Sequence, residues 1–381
     1  MDFTALKDYI EYLPHAGVPG CEMAVWMDHR EIFRCRAGFR DDQMKVPMRG
    51  DELYWIYSCS KVPTTCAAMQ LIEQGKLDLD DPVAMYLPAF AELTVKDGAE
   101  TRPARKVMTI RHLMSMQSGL NYDLERPAVK AVILEKGDRA TTRDLVDAMA
   151  KDPLEFEPGT DFMYGLSHDV LAAVIEVVSG EKFSDYLNRH IFAPLGIRDF
   201  SFRITTPEQK NRFCAAWTMG ENGLQPNGMD GNNFRLSECY ESGGAGLLGS
   251  VQGYITMLDA LACDGMGKDG QHILSPEMIQ LWRSNQLGFR SRRSFYGWRR
   301  VGYSYGLGVR TRMTTRVGGE GPLGEFGWDG AAGAWGMIDP ENHVSAYFGM
   351  HVRNFGYSWD VIHPNIRGLI YKCLAKEGEI W

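Results

Sequence analysis

The chain has no Cys-x-x-Cys pair among its eight cysteines and no His-Glu-x-x-His among its nine histidines. The usual ligand sets of a structural or hydrolytic zinc site are therefore missing. The cysteines, at 21, 35, 59, 66, 214, 239, 263 and 373, are scattered. That suits reduced thiols better than a disulfide framework. Long apolar runs are missing too: the most apolar helical stretch, Val170 to Val178, is broken by Glu176 and is far too short for a bilayer. The opening MDFTALKDYIEYLPHAG carries acidic residues where a signal peptide needs a basic start and an unbroken apolar run. Positive charge is not in excess, since 41 Lys and Arg against 49 Asp and Glu give a net charge of −8. Nucleic acid is a poor partner for such a chain. These absences predict a cytoplasmic protein with no nucleic-acid or membrane partner; the oligomeric state is not legible.

What is present is enough for a large core. The 381 residues are 44% hydrophobic and 11% aromatic, which excludes disordered and low-complexity classes. Residues 3–13 read as an amphipathic helix. Two alternating apolar runs, Cys21–Met27 and Glu31–Ala37, are joined across Asp28-His29-Arg30 like a hairpin. Near the other end, Gly333–Ile338 and Val344–Met350 form a second such pair around Asp339-Pro340-Glu341-Asn342. A last helical pattern covers about 357–376, and the middle alternates helix-like segments with Pro- and Gly-rich connections. Strands at both ends with helices between predict an α+β fold. Residues 1–80 and 236–381 are expected to form a discontinuous sheet domain, and 81–235 a mainly helical domain.

Three segments can carry chemistry. In Tyr57-Ser58-Cys59-Ser60-Lys61, a helix over 64–74 follows and Gly75 terminates it. Ser58 is then expected at or just ahead of the helix start, where free amides and the dipole favour developing negative charge. Lys61, three residues on, can reach the serine oxygen. A lysine whose pKa is depressed can take the hydroxyl proton. The bland alternative is an N-cap serine. A second Ser-x-x-Lys, Ser179 to Lys182, trails a helix and reads as a C-terminal turn. The second segment, Pro158 to Asp169, puts Tyr164 on a loop before a helix, with Ser167 as N-cap and Asp169 in the first turn. A phenol beside a lysine ammonium can ionise near neutral pH and shuttle a proton. The third, Phe326-Gly327-Trp328-Asp329-Gly330-Ala331-Ala332-Gly333, enters the second hairpin. An amide there is a candidate oxyanion donor alongside that of Ser58.

These elements, in this order and spacing, resemble the serine hydrolases built on the class C β-lactamase and penicillin-binding-protein fold. Supporting segments include Gly75-Lys76-Leu77-Asp78, Met108 to Leu120 around Ser118-Gly119-Leu120, Pro194-Leu195-Gly196, Ser242-Gly243-Gly244-Ala245-Gly246 and Tyr305-Gly306-Leu307-Gly308. The resemblance covers about residues 20–350. It implies an antiparallel sheet flanked by helices, a helical domain beside it, and a site at their junction. It also implies Ser58 as nucleophile, Lys61 and Tyr164 as the proton-transfer pair, and Trp328-Asp329-Gly330 as the edge-strand motif. Ser58 and Ala331 would then supply the oxyanion amides, with Trp328, Asp329, Gly330 and Leu166 around the substrate. No metal or organic cofactor is needed.

Two departures bear on the substrate. The β-lactamases and peptidases have Tyr-x-Asn where this chain has Leu166, and Lys-Thr-Gly where it has Trp-Asp-Gly. The segment is more similar to the β-lactamase-fold carboxylesterases, which points to a small-molecule ester substrate. Asp329 is expected to disfavour anionic substrates. A β-lactamase or D-amino-acid peptidase, an acyltransferase and a non-catalytic ligand-binding descendant are the alternatives. Gly244-x-Gly246-x-x-Gly249 and Gly319-x-Gly321-x-x-Gly324 match the dinucleotide fingerprint but lack its strand–turn–helix setting. Gly165-Leu166-Ser167-His168-Asp169 lacks the closing glycine of a nucleophile elbow.

Overall fold

A computed structural model describes residues 1–229, 231–297 and 301–375. The first hairpin forms as its alternation predicts, with strands β1 (Gly20–Met27) and β2 (Arg30–Gly38). Its loop is two residues, Asp28 and His29, both with positive φ (48° and 61°). Two left-handed residues in a two-residue loop match the right-handed twist of the flanking strands. Two short strands, β3 (Leu53–Trp55) and β4 (Leu248–Ser250), pair with each other. The second hairpin consists of β8 (Trp335–Asp339) and β9 (Val344–Met350), preceded by β5 (Tyr303–Tyr305), β6 (Arg310–Arg312) and β7 (Phe326–Gly327).

The main sheet is antiparallel throughout, in the order β2-β1-β9-β8-β7-β6-β5. Cys21 pairs with Met350 and Met27 with Val344, so the first strand locks onto the last. The period of two assigns each face. Met23, Val25, Ala346, Phe348 and Met337 point to the terminal helices α1 (Thr4–Tyr12) and α5 (His363–Leu374), where Leu6, Ile10, Ile366 and Ile370 are buried. Ala24, Tyr347 and Ile338 point the other way, onto Tyr254 and Leu258 of α4 (Val251–Ala262) and the large second core.

The helix after Ser58 starts earlier than its sequence pattern suggests: α2 spans Lys61–Glu73, after a 3₁₀ turn at Tyr57–Ser60. Pro63 is accommodated because it falls in the first turn, where its missing N–H has no partner to lose. At the other end Gly75 takes φ 66°, and Lys76 N–H closes on Leu71 O at 2.9 Å. That contact terminates the helix as a glycine at this position predicts. Every α2 residue from Lys61 to Leu71 is buried. Thr64 and Thr65 satisfy their hydroxyls on the carbonyls of Ser60 and Lys61. A helix buried on every side with its hydroxyls satisfied lies inside the protein, so its N-terminus delivers Lys61 to a water-poor place.

Candidate active site

Strand β3 runs straight into the Ser58 turn, pinned by Ile56 N–H on Leu247 O at 3.0 Å. Tyr57 then adopts φ 46°, a left-handed conformation that costs a non-glycine residue about 1–3 kcal/mol and persists only where surrounding structure imposes it. Ser58 does not cap α2: the capping position is Ser60, and its hydroxyl accepts from Leu247 N–H instead. The bland explanation of Ser58 therefore fails on geometry. Its Oγ lies 3.3 Å from Lys61 Nζ.

Lys61 is wholly buried. Its amine also contacts the Gly244 carbonyl at 2.7 Å and the Tyr122 hydroxyl at 2.8 Å. Burial, only partly opposed by Asp169 and Cys59, holds its pKa down to about 7. A neutral amine has two N–H donors and one lone pair. The Gly244 carbonyl can only accept, so it takes one N–H, and Tyr122 takes the second. The lone pair is then left for the Ser58 hydroxyl, which is the arrangement a general base requires. Gly244 is the hinge of this arrangement. A methyl on its Cα would sit 2.6 Å from Asp169 Oδ2 and 3.5 Å from Lys61 Nζ, so only glycine lets carboxylate and amine share that wall.

Tyr164 arrives from the loop before α3 (Ser167–Ser179), held by Met163 N–H on Met116 O at 3.0 Å. Its ring centroid is 4.5 Å from Lys61 Nζ. Trp328 Nε1–H donates to Tyr164 Oη at 2.7 Å. Burial pushes the phenol well above its ordinary pKa, against smaller pulls from hydrogen bonds to Ser58 and Trp328. This shift runs against the expectation that the phenol ionises near neutral pH, whereas burial brings the Lys61 amine down to about 7.

Ser58, Tyr164, Trp328, Asp329, Gly330 and Ala331 line one cavity of about 640 Å³, together with Arg353 and Trp359. Gly330 packs onto the Ile56 carbonyl, where a Cβ would come within 2.5 Å. That close approach seats the Ala331 loop beside the Ser58 turn. Leu166 is not on this wall: it sits fully buried in the core at the head of α3, because the chain turns inward as the helix begins. Asp329 is a second correction. Its carboxylate is only 4% exposed and is met by Arg310 Nη1 at 2.9 Å. Arg310 meets this charge while also pairing with Glu325, and the cavity lining adds one cation, Arg353, and one acid, Asp360.

Several neighbours carry no recognisable signal in the sequence. Tyr122 lies against Tyr164 with ring centroids 5.4 Å apart. Asp169, expected as an ordinary first-turn acid, is fully buried and accepts from Tyr240 Oη at 2.6 Å and from Ser242 Oγ. Ser167 is the first residue of α3 rather than its cap, and its hydroxyl pairs with Ser118 at 2.8 Å. A complete Gly-x-Ser-x-Gly does occur at Gly302–Gly306. Its Ser304 is buried within β5, hydrogen-bonded to Asn285, and forms no elbow. Ser179 bonds back to Ile175 O at the end of α3, as a helix-terminal serine does. The glycines from 244 to 249 precede and enter β4 rather than following a strand, and those at 319–324 lie in a loop, so neither is a nucleotide fingerprint.

Known proteins resemble this chain over most of its length. "Esterase EstB" of Burkholderia gladioli is 28% identical over 345 residues, covering 83% of this chain and 82% of its own length. "ML-236A carboxylate methylbutanoyltransferase" of Penicillium citrinum is 27% identical over 282 residues, covering 71% of this chain and 66% of its own. Among solved structures, "EstCE1, a hydrolase with promiscuous acyltransferase activity" superposes with a TM-score of 0.79 at 26% identity, over 97% of this chain and 98% of that one. The profile of the family described as Beta-lactamase matches residues 6–354. With a match across nearly the whole chain and a common fold, this protein belongs to the beta-lactamase family, among serine hydrolases whose members include esterases and acyltransferases.

Proposed function

We propose that the protein is a carboxylesterase that works through an acyl-Ser58 intermediate. The observation that carries this is the buried Lys61 amine, its pKa near 7, 3.3 Å from Ser58 Oγ. In the first step Lys61 accepts the Ser58 proton as Oγ attacks the ester carbonyl. The oxyanion is taken up by the amides of Ser58 and Ala331, each contributing about 3–4 kcal/mol by analogy with other acyl-transfer sites. Tyr164 gives its hydroxyl proton to the departing alkoxide and recovers one from Lys61. Trp328 orients the phenol throughout. A water then retraces the relay, losing its proton to the site as it attacks the acyl-serine, and the acid leaves. Hydrolysis of a short-chain nitrophenyl ester tests this. Ser58→Ala is expected to abolish turnover, and wild-type-like turnover by that variant contradicts the proposal.

Acyl transfer to an alcohol is a second reading. It is favoured by a cavity large enough for a sizeable acceptor beside the acyl group and by transferases among the relatives. Product analysis with added alcohols separates the two, since a transferase yields new ester in preference to free acid. Recognition of penicillins or D-peptides is less well supported. Leu166 offers no side-chain amide, and an indole stands where those enzymes carry a cation.

A further inference from the structure

The sheet has two ends, and the candidate active site occupies one of them. Trp335 of β8 pairs with Phe348, next to the Ala331 loop, whereas Asp339 pairs with Val344, which pairs in turn with Met27. The tip of the β1–β2 hairpin is therefore at the far end. Helix α4 spans the same length. It starts beside β4, and its Tyr254 hydroxyl donates to Cys59 O near the nucleophile. Twelve residues, or about 18 Å, later its last turn reaches the hairpin tip. There His29 of the tip meets Asp259 and Cys263 of the helix end. His29 Nδ1 lies 2.7 Å from Asp259 Oδ2, and Cys263 Sγ lies 3.9 Å from Asp259 Oδ1.

One ligand atom from each of these three residues lies within 4.8 Å of the others, the only such His/Cys/Asp/Glu group among the described residues. We propose that His29, Asp259 and Cys263 form a binding site for one zinc-class divalent cation, unconnected with the ester chemistry. An imidazole, a carboxylate and a thiolate are the donor types zinc takes, at about 2.0 Å for nitrogen and oxygen and about 2.3 Å for sulfur. Donors at those radii around a tetrahedral ion stand about 3.3–3.5 Å apart, within the spread already present. Asp259 and Asp264 place negative charge beside Cys263. The negative end of the α4 dipole points the same way. A dication answers all of these charges at once. On binding it takes the place of the His29–Asp259 hydrogen bond, His29 ligating through Nδ1 as the neutral Nε2–H tautomer, and the thiol proton of Cys263 is lost to solvent. With one imidazole, one carboxylate and one thiolate the site is then electrically neutral, and a water completes the coordination. His29 is only about a quarter exposed, which leaves an entry path. The bound ion would fasten the hairpin to the helix end.

The test uses the full chain, stripped with a chelator, dialysed against zinc and desalted before metal analysis. The site predicts about one zinc per wild-type chain and a raised melting temperature. With Co²⁺ in place of zinc it predicts a thiolate-to-cobalt charge-transfer band. His29→Ala, at an accessible turn, should lose the bound metal, and Cys263→Ser should lose the charge-transfer band. Ester hydrolysis by either variant is expected to stay at the wild-type rate. Wild-type protein that retains no zinc, or a His29→Ala variant that retains as much as wild type, overturns the proposal. If Cys263→Ser fails to fold, the His29→Ala result decides alone.

Discussion

Replacing Asp169 with asparagine should let the enzyme work at lower pH. The carboxylate faces Lys61 across Gly244 at no more than the sum of 2.6 and 3.5 Å. At about 6 Å and an effective dielectric of about 20, two unit charges attract by about 3 kcal/mol, or about 2 pH units. The attraction favours the ammonium, so in the wild type Asp169 works against the burial that holds Lys61 near 7. Tyr240 and Ser242 already donate to Asp169 Oδ1 and spread part of its charge, which brings the expected effect to about 1–2 units. Asparagine keeps one oxygen for those donors and, by exchanging the other for an amide nitrogen, removes the charge. The rising limb of kcat/KM against pH, which reports the free enzyme, is expected near pH 7 in wild type, as Lys61 sheds its proton. In Asp169→Asn it should move to lower pH. A limb that stays in place or moves up refutes the assignment of Lys61 as the base tuned by this carboxylate.

Trp328→Phe removes the N–H that holds Tyr164 Oη. A hydrogen bond worth about 1.5 kcal/mol at a developing charge predicts about a tenfold loss of kcat/KM, and initial-rate kinetics on a nitrophenyl ester measures it. Arg310→Leu strands the Asp329 and Glu325 carboxylates, all three groups being fully buried. Breaking such a pair from one side costs about 3–5 kcal/mol, to be read as a lower urea midpoint. Tyr122→Phe removes one of the three polar contacts of the Lys61 amine. It should lower kcat/KM while leaving the urea midpoint nearly unchanged, and a wild-type rate would dissociate Tyr122 from the base.

Ser58, Lys61, Tyr164 and the Trp328–Ala331 segment were legible because each rides on a local signal: a helix start, a loop before a helix, a glycine-rich hairpin entry. The two hairpins were legible for the same reason, since alternation and turn residues are properties of short windows. Tyr122, Asp169, Gly244 and Arg310 depend instead on contacts made over long sequence separations. Nothing near Asp169 marks it as buried, because a first-turn acid looks the same whether it faces water or a lysine. Leu166 was misplaced for a related reason: two residues from Tyr164, it falls where the chain turns from cavity wall to core. Asp329 looked like an uncompensated charge because its partner, Arg310, comes from a different strand. Among the described residues no helix is long and apolar enough to cross a bilayer.

The central claim is that Ser58, and no other hydroxyl, receives the acyl group while Lys61 takes its proton. Intact-mass analysis with peptide mapping after treatment with a phosphonate ester measures this directly. The account predicts one adduct per chain, on Ser58, formed faster as pH rises through about 7 and absent in Ser58→Ala. An adduct on another residue, or labelling of Ser58 that is independent of pH across that range, would contradict it.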